Sequence, residues 1–76
     1  MISEHDVVVL TADLPEQDLH AGDVGTVIHV HEHGRAFEVE FSTLTGKTIA
    51  ISTVPSSRCR PVSQTDITHV REVRTA

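Results

Sequence analysis

The segment His29-Val30-His31-Glu32-His33 places three of the chain's six histidines within five residues. Imidazoles two apart on a β-strand point to the same face, about 7 Å from each other. Two such histidines and a carboxylate are donors that zinc accepts. A turn at His33-Gly34 would bring Glu38 opposite His29, so His29, His31 and Glu38 are the candidate metal ligands and zinc the candidate ion. The same residues suit a solvated face near a hairpin tip, where His29 and Glu38 form a plain cross-strand pair. No cysteine or fourth ligand stands at a customary spacing from them.

The second group is acidic. Residues 1–34 hold Glu4, Asp6, Asp13, Glu16, Asp18, Asp23 and Glu32 with no Lys or Arg, and every basic side chain falls between Arg35 and Arg74. Asp13, Glu16, Asp18 and Asp23 lie in one loop and are the candidate partner-binding residues, with a basic protein as the partner they fit. A net charge of −5 with two Phe, no Trp and no Tyr argues against nucleic acid, which draws on clustered cations and stacking rings. Solubility alone also accounts for the acidity.

Catalysis has little to stand on. Ser42, Ser52, Ser56 and Ser57 have no evident His-Asp arrangement, so no enzyme is expected. Cys59 would be reactive only if exposed beside Arg58 and Arg60. It is the single cysteine, which allows no internal disulfide and suits a reducing cytoplasm. Val7-Val8-Val9-Leu10 is too short for a signal or membrane segment. Gly22 and Gly25 lack the Lys and helix of a phosphate cradle.

The elements that would carry these groups are strands. A two-residue His33-Gly34 loop pairs Val30 with Phe37, Ile28 with Val39 and Thr26 with Phe41, giving an apolar face at a period of two. The other face carries His29 against Glu38, His31 against Ala36 and Val27 against Glu40. A first strand is expected at residues 5–11, buried on both sides. Next comes a long loop with one helical turn capped by Asp13, with Pro15 in its first turn and Glu16 at the capping-box position. Gly22 and Gly25 bracket the start of the second strand, where a bulge would begin barrel curvature. Thr43–Gly46 turns into a fourth strand over 47–53, a short helical turn covers 55–58, and Cys59–Val62 is a short edge strand because Pro61 cannot donate. Ile67, Val70 and Val73 fit a helix while the same tail alternates as a strand would. The expectation is therefore all-β: a small Src-homology-3-like barrel of five to six antiparallel strands with one short helical turn, over residues 1–62, and a tail at 63–76 packed on the same domain.

The motifs Asp6-Val7-Val8-Val9-Leu10, Asp13-Leu14-Pro15, Gly22-Asp23-Val24-Gly25-Thr26-Val27, Phe37-Glu38-Val39-Glu40-Phe41 and Arg60-Pro61-Val62 resemble a family of small, mostly bacterial proteins known only as a domain of unknown function. That resemblance implies the barrel fold and supplies no catalytic residues. Where such sequences tend to show Leu before Arg-Pro, Cys59 stands here, which suggests a small buried hydrophobe. Barrels of similar plan dock onto larger assemblies, and the family looks like a companion of neighbouring small gene products. The resemblance thus implies a docking, immunity or antitoxin-like role, and a free sheet edge beside the acidic loop would invite strand addition or self-association. Two other functions stay open: a metal-binding accessory using His29 and His31, and a nucleic-acid-binding barrel of the transcription-factor and ribosomal type.

Overall fold

The computed structural model describes residues 1–74. Among them the regular structure is all-β, with short 3₁₀ turns at Pro15–Gln17, Glu32–Gly34 and Ser56–Arg58 and no α-helix. The strands are β1 (Val7–Leu10), β2 (Val24–His31), β3 (Ala36–Ser42), β4 (Thr48–Pro55) and β5 (Cys59–Pro61). They form a single antiparallel sheet in the order β4-β3-β2-β1-β5. The sheet is not closed into a barrel: β4 and β5 are its two edges. Closure needs a ladder between the two edge strands, and β5, a three-residue strand ending at Pro61, pairs with β1 and not with β4.

The hairpin of β2 and β3 has the expected register at its tip, with His31 paired to Ala36, Val30 to Phe37 and His29 to Glu38. Beyond that point it slips by one residue at a bulge, so Val27 opposes Val39, Thr26 opposes Glu40 and Gly25 opposes Phe41. The cause lies at the two ends of β2. Pairing with β1 sets Gly25 and Val27 inward, whereas the tip sets Val30 inward. Odd and even positions cannot share a face without one extra residue, and Ile28 is that residue, left exposed. The bulge therefore sits in mid-strand and not at Gly22 or Gly25. Gly25 has a different duty. A Cβ there would lie 2.5 Å from Val39 Cγ1 and 2.8 Å from the Glu40 carbonyl oxygen, so only glycine lets β2 approach β3 so closely.

The tip differs from a two-residue turn. Glu32 to Arg35 form a four-residue loop between paired His31 and Ala36, with Glu32 and His33 in left-handed backbone. The Arg35 carbonyl accepts a hydrogen bond from Ser56 N–H at 2.9 Å, which ties the loop to the turn after β4.

The core holds Val8, Leu10, Leu19, Val27, Phe37, Val39, Phe41, Val54 and Cys59. Val9 is also buried, on the opposite face of β1, so the apolar run of that strand is covered on both sides except at Val7. Cys59 packs as the small hydrophobe expected of it, and burial pushes its thiol pKa up. Residues 62–74 form neither a sixth strand nor a helix. They fold back over the sheet, where two arginine–aspartate pairs hold them.

Candidate functional site

The acidic loop is built from the inside out. Leu14 and Leu19 bridge to each other, and Leu19 is buried in the core. Between them Pro15–Gln17 makes one 3₁₀ turn whose capping position is Leu14, with no side-chain cap. Asp13 does other work: its Oδ1 accepts a hydrogen bond from Ala21 N–H at 2.8 Å and closes the loop at its base. Asp23 is also engaged, accepting from His20 N–H at 2.8 Å and from both Nε and Nη2 of Arg71. Burial acts to raise the pKa of Asp23, but the bonds from Arg71 and His20 outweigh it and hold the carboxyl below its ordinary value. Of the four acids expected to face a partner, two are therefore structural. Glu16 and Asp18 are exposed, as is Asp13 despite its bond to Ala21 N–H.

Glu16 stands at one end of an edge strand, whereas the Asp18 carbonyl accepts from Arg71 Nη2 at 3.3 Å. Leu14, Pro15, Glu16 and Gln17 face Thr53, Pro55 and Arg58 across a cleft of about 210 Å³, so the acidic loop adjoins the C-terminal end of β4. From there β4 runs for eight residues without a charged side chain, and Ile49 and Ile51 are 37% and 53% exposed on its outer face. One strand inward, Glu38 pairs with Thr53 and Glu40 with Ile51. Thr53 Oγ1 donates to Glu38 Oε1 at 2.7 Å, and Thr48 Oγ1 donates to Glu40 Oε2 at 2.6 Å. The Thr53 bond, then the His31 bond, hold the Glu38 carboxyl below its usual value despite partial burial.

The histidines share this outer face without converging. His31 Nε2 lies 3.2 Å from Glu38 Oε1, while His29 Nδ1 turns to Glu4 Oε2 at 3.8 Å, so the side-chain partner of Glu38 is His31 even though His29 is its backbone neighbour. The two rings meet edge to face at 4.6 Å between centroids. Among the described residues no group of three or more His, Cys, Asp and Glu side chains is placed to hold a metal ion. Glu4 was the partner that sequence reasoning missed, because nothing local links it to His29.

A second feature was not legible in the sequence. The C-terminal segment is clasped at Arg60, whose Nη1 and Nη2 donate to Asp66 at 2.9 and 2.8 Å, and at Arg71 on Asp23. Asp66 is held far below the usual carboxylate range by Arg60 first and by the Ser63 N–H second. Beneath the segment runs a groove of about 830 Å³ that Val7, Val9, Val24 and Val62 line from the sheet side.

The structure is thus a small, open, all-β sheet with exposed acids near one edge strand. The family model for a domain of unknown function, DUF4926, matches residues 4–61, and the chain belongs to that family. The clasped segment lies outside the matched span. No curated protein and no solved structure matches the chain. Among the described residues no helix is long and apolar enough to cross a membrane.

Proposed function

We propose that this protein is a non-catalytic docking module of the immunity or antitoxin-like kind, which presents Glu16, Asp18 and the adjoining edge of β4 to a basic protein partner. The observation that carries the reading is the junction of the acidic loop with β4: Glu16 and the end of an uncharged strand edge line one cleft, with Arg58 beside them. Cations of the partner would be steered to Glu16 and Asp18, and the strand edge would supply short-range specificity through its unpaired backbone. Asp13 and Asp23 shape the loop through their bonds to Ala21, His20 and Arg71.

The test is affinity purification of the tagged chain from its native cells, with mass spectrometry of what co-purifies. A stoichiometric basic protein lost in the double variant Glu16→Lys, Asp18→Lys, with thermal stability unchanged, is the expected result. A partner retained by that variant would refute the acidic-loop reading.

A further inference from the structure

Resting on the docking reading, a more specific inference follows from what β4 lacks. Thr48–Pro55 contains no Lys, Arg, Asp or Glu and has Pro only at its final position, so it carries neither the inward charge nor the mid-strand proline that guards natural sheet edges, and the register shift at Ile49 leaves residues 50–55 as its regular edge. Apart from a 3.9 Å approach of Cys59 Sγ to the Pro55 carbonyl, the backbone groups of β4 have no hydrogen-bond partner among the described residues other than β3. The strand also contains an unusual polar group. Ser52 is 2% exposed, and its Oγ is the one buried side-chain polar atom among the described residues with no hydrogen-bond partner.

We propose that β4 receives an extended segment of the partner as an added strand, and that this segment alternates Lys or Arg on its outer face with Ser or Thr and small apolar residues on its inner face. The outer face sets the first requirement. Adjacent strands lie about 4.8 Å apart, so an outer side chain of the added strand sits beside Ile51 or Thr53 and roughly two spacings from their cross-strand partners Glu40 and Glu38. Lys or Arg spans that distance, laying its methylenes on isoleucine and delivering its cation to the carboxylates. The inner face sets the second. Cross-strand neighbours approach to about 5 Å between Cβ atoms, which puts a hydroxyl of the added strand within reach of Ser52 Oγ.

A second copy of this chain fits the edge less well. Its own β4 brings no cation to Glu38 and Glu40, and pairing two chains that each carry −5 sets acidic faces on both sides of the seam.

The experiment follows backbone amides of the full chain by hydrogen-exchange NMR while an eight-residue peptide alternating Lys with Thr and Val is added. Alternate amides within residues 48–55 should exchange about tenfold more slowly, a counterpart peptide with Glu for every Lys should not protect them, and Ile51→Lys should abolish the effect. Ile51 is half exposed, so the variant folds. Protection by both peptides, or persistence in Ile51→Lys, would overturn the proposal. Shifts confined to residues 16–18 would overturn strand addition while leaving the docking reading standing. β4 amides already protected in a chain that sediments as a dimer would assign the edge to a second copy and overturn the partner's basic chemistry.

Discussion

The two edges of this sheet are finished in opposite ways. β5 is three residues long and contains Arg60 and Pro61, and its arginine grips the segment that folds back from it. β4 is eight residues long, uncharged and bare. Short length, charge and proline are the devices by which folded proteins keep an edge from recruiting other strands. Their presence at one end of the sheet and absence at the other make β4 the side available for contact, and the contrast explains why the acidic loop matters where it adjoins β4.

The largest effect should come from the centre that joins both edges. Gly25 pairs with Val8 toward β5 and with Phe41 toward β4. Gly25→Ala forces a Cβ against Val39 and the Glu40 carbonyl and should cost about 2–3 kcal/mol. In a domain this small that lowers the melting temperature by about 10–20 °C, readable by calorimetry, with both edges lost together.

Breaking the clasp should act on the β5 side alone. Asp23→Asn removes the charge that holds Arg71 and should reduce stability by about 1 kcal/mol, while heteronuclear relaxation shows residues 67–74 detached, Asp66 still held by Arg60, and β4 unchanged. Acid should reach the same state by titration. Asp23 and Asp66 have depressed pKa values in the folded chain, so their contribution is complete above the ordinary carboxylate value of about 3.9. It is lost as pH falls below that value and through the lower folded ones. Release of the tail below about pH 4, before the sheet melts, is the expected sequence in NMR spectra recorded against pH.

Smaller effects belong to β4. Ser52→Ala removes an unsatisfied hydroxyl and should be neutral or stabilising by up to about 1 kcal/mol in chemical denaturation. Ile51→Lys, on the exposed face, should change stability by less than about 0.5 kcal/mol and act on binding alone. An equal loss of stability in these two variants would mean that the β4 edge is covered in solution.

The strands and the pairing next to the hairpin tip were legible because period-two alternation in Phe37, Val39 and Phe41 and the glycines at 34 and 46 are local signals, whereas the four-residue loop itself, with Glu32 and His33 left-handed, was not. The bulge at Ile28 was not, since either half of β2 read alone gives a consistent face and only pairing with β1 exposes the conflict. Open rather than closed topology was also hidden, because a barrel and an open meander share the same order of strands and turns. In the site, the acidity of the loop was plain, but its division into structural Asp13 and Asp23 and exposed Glu16 and Asp18 depends on Ala21 N–H and on Arg71, which lies 48 residues from Asp23. Sequence spacing carries no record of such an ion pair.

The most direct test of the contrast between edges is amide-by-amide hydrogen exchange on the free, full chain at neutral pH. The structure predicts that amides of β4 alternate, those bonded to β3 slow and those facing outward exchanging as fast as loop amides, while residues of β1 and Val62, which donates to the Val7 carbonyl, stay protected. Uniform protection along residues 48–55 would contradict the account, because it would show that β4 is not an open edge.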